Sequence, residues 1–338
     1  MRILVTGANG FVGRALCAVL AERGHLVVAV VRPGRAAPTR TEAAVVGDLD
    51  GDTDWSKALH GVDAVVHLAA RVHVMRDEAD DPLAEFRRVN VAGTRRLAEQ
   101  AAAAGVRRLV FVSSVKVNGD NSPGRPFTDA DPPTPPDAYG LSKHEAEMAL
   151  AAVAAATGLE TVVVRPPLVY GPGAAGNFRV LLDAVRRGLP LPLATVRNRR
   201  SLVFVGNLVD ALALCAEHPA AAGRTFFVRD GEDVSTAQLF RLLARALGRP
   251  ARLWPLPPAL LRAAATLLGR TAAADRVLGS LQVDDGALRL SLGWRPPFTL
   301  AEGLALTVSG QPAPDSPRPP ATPSPATSSA THRSSSGR

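Results

Sequence analysis

Up to about residue 168 the chain alternates short apolar runs with longer segments of helical spacing. The runs at 3–6, 26–31, 43–46, 64–68, 109–113 and 161–165 are rich in Val, Leu and Ile with little polar alternation, as expected of strands buried on both faces. Between them, 13–23, 55–59, 82–104 and 138–156 predict helices whose lengths suit crossover connections. Strand and helix in strict turn predict an α/β fold, a doubly wound parallel sheet with helices on both faces. After Arg165-Pro166-Pro167 the pattern loosens. Gly171-Pro172-Gly173 punctuates the chain, and short helical and strand-like pieces follow irregularly to about residue 310. The expected organisation is a sheet domain over 1–168, a smaller α+β substrate-binding region over 169–310, and a disordered tail over 311–338. The tail holds Pro, Ser, Thr and Ala with almost nothing to bury, and is expected to be dispensable for chemistry.

Composition narrows the class. The 338 residues are 46% hydrophobic, enough for a sizeable core, yet no apolar stretch is long and unbroken enough to span a bilayer. The N-terminus runs straight into Met1-Arg2-Ile3-Leu4-Val5-Thr6 without a signal-peptide pattern, so a cytoplasmic protein with no membrane insertion is expected. Cys17 and Cys215 stand far apart without ligand spacing, which excludes a disulfide framework and a metal site and predicts two small buried side chains. Of 39 basic residues only Lys57, Lys116 and Lys143 are lysine, and the net charge of +8 is dispersed. Dispersed charge points away from nucleic acid and toward an anionic small ligand.

Three motifs carry chemistry. The first strand enters Thr6-Gly7-Ala8-Asn9-Gly10-Phe11-Val12-Gly13 and then a helix. Glycines there permit a tight turn and close approach of a pyrophosphate, whose charge meets free N–H groups and the positive end of the helix dipole. Tyr139-Gly140-Leu141-Ser142-Lys143 sets a phenol and an ammonium four residues apart on one helix face. At about 4 Å and an effective dielectric of about 20, the ammonium is worth roughly 4 kcal/mol, enough to lower the phenol pKa by about three. The third motif is Ser114, at the carboxyl end of a strand, placed to hydrogen-bond an oxygen being oxidised or reduced.

The Thr-Gly-x-x-Gly-x-x-Gly loop, the Tyr-x-x-x-Lys pair and a serine 25 residues before the tyrosine resemble the short-chain dehydrogenase/reductase superfamily. Within its extended branch the chain is similar over about 1–310 to the NAD-dependent epimerase/dehydratase family, whose best-known member is UDP-glucose 4-epimerase. The resemblance implies a Rossmann-type sheet that binds a nicotinamide dinucleotide through Gly7, Gly10, Phe11, Val12 and Gly13. It implies that Gly47-Asp48-Leu49 lies at the adenine and that His67-Leu68-Ala69-Ala70 lines the phosphates and ribose. Asn90 falls near the cofactor, and Pro166 borders the nicotinamide. Ser114, Tyr139 and Lys143 are the implied catalytic residues, the last two also touching the cofactor. Lys116, Asn177 and Arg200 join Ser114 as implied substrate contacts, with Arg200 pairing to a pyrophosphate oxygen of a UDP-sugar. A homodimer through the helices at 82–104 and 138–156 is implied by analogy alone.

Departures from the family pattern refine the expectation. Val115 and Lys116 replace the acidic pair that dehydratases carry after the serine, and Asn118-Gly119 replaces the usual Tyr-Gly. No Asp or Glu occurs between Glu22 and Glu42, where NAD users carry an acid for the ribose 2′-hydroxyl. Arg32, with Arg35 behind it, suits a 2′-phosphate instead, which favours NADP(H) over NAD(H). An exchanging NADPH tilts the expectation to a 4-ketoreductase of a UDP-4-keto-6-deoxy-hexosamine in surface-polysaccharide synthesis. Ser113-Ser114-Val115-Lys116-Val117-Asn118-Gly119 and Arg71-Val72-His73-Val74-Met75 resemble such reductases and the 4-epimerases alike. The alternatives are a UDP-glucose or UDP-N-acetylglucosamine 4-epimerase, then a 3β-hydroxysteroid- or flavonol-type carbonyl reductase, then a non-catalytic nucleotide sensor.

Overall fold

In the computed structural model, residues 1–72, 81–122 and 124–311 are described, apart from the side chains of Asn177 and Ala272. The tail from 312 and residues 73–75 of the 71–75 motif lie outside them. Ten strands form: β1 (Arg2–Thr6), β2 (Leu26–Val31), β3 (Glu42–Val45), β4 (Ala64–His67), β5 (Arg108–Val112), β6 (Glu160–Arg165), β7 (Leu168–Tyr170), β8 (Arg200–Phe204), β9 (Thr225–Phe227) and β10 (Asp233–Val234). Seven of them make one sheet in the order β3-β2-β1-β4-β5-β6-β9, every pair parallel. The order reverses between β1 and β4, which opens a crevice at the carboxyl ends of those strands. The remaining three pair as β10-β8-β7.

Period-two alternation divides the core. Ile3 and Val5 of β1, with Val27, Ala29, Val66 and Val110, face Leu16, Cys17 and Leu20 of α1 (Phe11–Glu22). Leu4, with Val28, Val65, Leu109 and Phe111, faces the opposite side. That side is covered by the helices that follow β4 and β5: α2 (Pro82–Phe86), a π-helical turn over Arg87–Ala92, α3 (Gly93–Ala103) and α4 (Ala138–Thr157). The single helix expected over 82–104 is therefore three segments. The π turn admits one extra residue and is a common device at functional sites. The helix expected at 55–59 is a turn. Asp54 Oδ1 accepts the Ser56 N–H at 2.9 Å, and the Trp55 N–H goes to Gln100 Oε1 at 2.7 Å, so local and tertiary partners displace the helical ones. Both cysteines are buried.

Beyond β7 lie α5 (Gly176–Arg186), α6 (Val205–Glu217), α7 (Thr236–Ala246), α8 (Pro258–Leu267), α9 (Thr271–Leu278), α10 (Gly286–Leu292) and α11 (Leu300–Ser309). The chain after 168 does not form a separate body. β9 returns to the main sheet beside β6, and α6 packs on α1. Arg108, fully buried on β5, reinforces the join: its Nη1 donates to the carbonyls of Cys215, Ala216 and His218 where α6 ends. Asp230 lies between β9 of the main sheet and β10 of the smaller one. Its carboxylate accepts Tyr170 Oη at 2.7 Å, the Phe204 N–H at 2.7 Å and Asn207 Nδ2 at 2.8 Å. Burial pushes its pKa up to about 6 against those donors. Tyr170→Phe removes one donor from a buried acid and should cost about 1–3 kcal/mol of unfolding free energy, read from urea denaturation.

Candidate functional site

The turn between β1 and α1 is shaped by close approaches. Gly7 has φ +66°, and a Cβ there would lie 2.9 Å from the Ala69 nitrogen; at Gly13 a Cβ would lie 2.8 Å from Ala8 Cα. Gly10 caps α1, its N–H bonded to the Gly7 carbonyl at 2.9 Å. No acidic side chain occupies the first turn of α1, where Phe11 and Val12 sit, so the helix dipole meets no carboxylate from within its own turn. The carbonyl-tied turn and the N-terminus behind it fit the diphosphate of a dinucleotide.

The loop after β4 is held against this turn by a neutral histidine. Thr6 Oγ1 accepts the N–H groups of Leu68 and Ala69, both at 3.1 Å, so its own hydrogen goes to His67 Nδ1 at 2.7 Å. His67 Nε2–H is then left to donate to Thr94 Oγ1 at 3.0 Å. Burial, assisted by the Lys143 charge, pushes the His67 pKa down to about 3. Thus His67 lies beneath the loop, and Leu68, Ala69 and Ala70 form its half-buried rim.

Ser114, Tyr139 and Lys143 converge beyond the end of β5. Ser114 starts a tight turn over Val115–Val117, its Oγ accepting the Lys116 N–H at 3.2 Å. Asp137 caps α4 by accepting the Gly140 N–H at 2.8 Å, and Tyr139 follows in the first turn. Gly140, which sequence reasoning passed over, makes the meeting possible. A Cβ there would stand 2.6 Å from the Lys116 carbonyl oxygen, and a glycine in a first helical turn was the available signal. The Tyr139 hydroxyl hydrogen-bonds with Ser114. Lys143, 2% exposed, holds Nζ 4.1 Å from the centroid of the Phe111 ring, which also stacks on His67 at 5.7 Å. One turn further, Glu147 pairs with Arg165, whose Nε donates at 3.0 Å and whose Nη1 donates to Asn118 Oδ1 at 3.0 Å.

The electrostatics correct one expectation. Burial pushes Tyr139 up to about 12, Asp137 adds to the rise, and the bond with Ser114 opposes it. Lys143 is not among the groups that shift Tyr139, and burial pushes Lys143 itself down to about 7, with Glu147 opposing. Desolvation is the largest influence on both groups.

The other expected residues divide. Arg32 and Arg35 are exposed in the turn after β2, with no side-chain partner among the described residues. Asp48 is exposed, and Leu49 packs over Gly93, where a Cβ would meet Leu49 Cγ at 2.7 Å. Pro166 is buried, its carbonyl accepting the Val115 N–H at 3.0 Å beside Ser114. Asn90, in the π turn, gives its amide to the protein. Oδ1 accepts Arg71 N–H at 2.8 Å, and Nδ2 donates to the Arg71 carbonyl at 3.0 Å and Ser142 Oγ at 2.9 Å. Its place is therefore between the β4 loop and α4, as a positioning residue. Lys116 is engaged by Asp137, and Arg200 Nη1 by the carbonyls of Arg276 and Gly279 at 2.7 and 3.0 Å. These bonds fix one donor of Lys116 and one guanidinium nitrogen of Arg200 and leave further N–H donors on both. Asn177 opens α5, but its side chain lies outside the described residues. Among the described residues no cluster suits a metal ion, and no helix is long and apolar enough to cross a membrane.

The model of the NAD dependent epimerase/dehydratase family matches residues 3–228. The chain is 44% identical over 311 residues to a UDP-glucose 4-epimerase of Vibrio cholerae, an alignment spanning 90% of this chain and 94% of that protein. It is 33% identical over 323 residues to a UDP-glucose 4-epimerase of Mycolicibacterium smegmatis, spanning 91% and 97%. Among solved structures, MoeE5 in complex with UDP-glucose and NAD superposes with a TM-score of 0.73 at 29% identity, covering 92% of this chain and 98% of that one.

The buried His67 dictates a pH response. Its folded pKa, about 3, lies below the ordinary 6.5, so between these values the unfolded chain binds a proton that the folded chain does not. Stability from this group is complete above pH 6.5 and is lost as pH falls toward 3. Calorimetric Tm should decline across that window, and His67→Gln should make the decline shallower.

Proposed function

Because the chain belongs to the NAD-dependent epimerase/dehydratase family and is therefore an NAD-dependent enzyme, we propose that it works on UDP-hexoses at C4, exchanging a hydride with a nicotinamide and so inverting that centre. The observation that carries the proposal is the convergence of the Ser114 and Tyr139 hydroxyls beyond β5, with Lys143 one turn along α4. The identity to two UDP-glucose 4-epimerases along nearly their whole length supports the choice of substrate and of epimerisation.

When bound, the dinucleotide supplies the hydride acceptor and donor. The Gly7, Gly10 and Gly13 turn and the N-terminus of α1 would hold its diphosphate, Asp48 and Leu49 its adenine end, and the rim at Leu68, Ala69 and Ala70 its ribose and phosphates. Tyr139 Oη accepts the C4 hydroxyl proton as the C4–H bond breaks and returns it when hydride comes back to the other face of the carbonyl. Ser114 Oγ hydrogen-bonds the same oxygen and orients it. At a pKa of about 12 the phenol is protonated at neutral pH, ready as donor; positive charge near it, of which the Lys143 ammonium is this chain's own source, favours the phenolate needed as acceptor. Buried Val115 and the Lys116–Asp137 pair put no free acid directly after Ser114, which argues against water elimination. Pairing of two copies through the α3 and α4 faces, where Met148 is exposed, belongs to the same proposal.

A second reading, a 4-ketoreductase using NADPH, is favoured by the unpartnered exposed Arg32 at the end of β2. Tyr139→Phe should lower kcat for interconversion of UDP-glucose and UDP-galactose by about 10²- to 10⁴-fold while leaving dinucleotide binding intact; unchanged turnover would overturn the assignment. In the same assay, stoichiometric loss of NADPH absorbance on a UDP-4-keto-6-deoxy-N-acetylhexosamine would establish the second reading over the first.

A further inference from the structure

The helical hairpin of α8 and α9 is apolar where water should be. No residue of α8 is buried, and only Leu261 and Ala265, four apart, are half-buried, with Leu261 resting on the main core. The opposite stripe is also apolar: Leu260, Ala264, Leu267 and Leu268 follow i, i+4, i+7 and i+8 and all are exposed, the three leucines at 56%, 88% and 71%. A helix apolar on both sides is ordinarily enclosed. This one packs on α9 and leaves its outer stripe bare. Just before it stands Trp254, 45% exposed, whereas Trp55 and Trp294 are 2% and 3% exposed.

Charge identifies the cover. From 251 to 274 the only charged residues are Arg252, Arg262 and Arg270, with no acid until Asp275, which faces Arg262 at 3.6 Å across solvent. Arg262 lies about 200° around α8 from Leu260, away from the stripe, so the cations flanking the apolar surface are Arg252 before α8 and Arg270 after it. Leucines and a tryptophan between two arginines make a surface complementary to anionic headgroups over a hydrocarbon boundary. A second copy is disfavoured, since face-to-face pairing brings the same arginines together with too few acids to answer them. A ten-residue helix of about 15 Å is too short to cross a bilayer and long enough to lie in its interface.

We propose that the α8–α9 hairpin with Trp254 docks the enzyme on an anionic lipid surface, Leu260, Leu267 and Leu268 entering the headgroup boundary and Arg252 and Arg270 meeting lipid phosphates. The site at the carboxyl edge of the main sheet takes no part, so docking and turnover are separable.

The test is co-sedimentation of the full chain with vesicles of phosphatidylcholine alone and of phosphatidylcholine with phosphatidylglycerol, together with tryptophan emission. The expected result is binding to the anionic vesicles only, weakened by salt, with a blue shift from Trp254. Leu267→Glu with Leu268→Glu should lower the bound fraction about tenfold or more while kcat and the circular dichroism spectrum stay unchanged. Leu290→Glu, at a 90% exposed leucine on α10, should leave binding intact. Arg252→Glu with Arg270→Glu supplies an independent variant with the same expected loss. Failure to sediment with either vesicle, or binding indifferent to both double variants, would overturn the proposal. So would a concentration-dependent dimer in sedimentation velocity that the leucine variant abolishes, because a second copy would then be the cover.

Discussion

The architecture of the site is organised around one buried ammonium. Lys143 lies beneath the surface, and an isolated charge there is tolerated only if its surroundings answer it. The face of Phe111 answers it from β5, and Glu147 answers it from α4, one turn on. Glu147 is fixed by Arg165 at the end of β6, and Arg165 by Asn118 beyond β5. Three elements of the sheet domain are thus registered to one another by the need to accommodate one side chain. The Asn118 that replaces a tyrosine of the family pattern is part of that accommodation.

The same ring couples the lysine to the other half of the cleft. Phe111 stacks on His67, and His67 orders Thr6, through which the loop after β4 is hung on the turn after β1. Burial, assisted by the cation beneath the ring, keeps the imidazole neutral, and a neutral imidazole with Nε2 protonated is the form that satisfies Thr6 and Thr94 together. Positive potential then gathers at the carboxyl edge from Lys143, from the unneutralised end of α1 and from Arg32. That distribution is suited to a doubly anionic dinucleotide.

What could be read from the chain divides by range of interaction. The six strands placed from sequence emerged within a residue or so of their ends, because all but the exposed edge strand β3 are apolar runs buried by the sheet, a property local to the run. Tyr139, Lys143 and the glycine turn were legible for the same reason, since their spacing within one element is their chemistry. Thr6, Gly140, Glu147 and Arg165 were not, because their tasks are set by partners 18 to 61 residues away or by a clash with a neighbouring segment. Trp55 misled toward a helix for want of Gln100, and nothing local announces that β9, from the region after 168, returns beside β6. Coulomb attraction can be estimated from spacing, whereas the desolvation that dominates the Tyr139 shift depends on what covers the residue.

The central claim is hydride chemistry at C4, and the most direct measurement follows the hydrogen itself. UDP-glucose bearing deuterium at C4 should turn over with a primary isotope effect, and the label should be found at C4 of UDP-galactose, having left and returned without exchange with water. Interconversion without an isotope effect, or with the label lost to solvent, would contradict the account by placing bond cleavage elsewhere or routing that hydrogen as a proton.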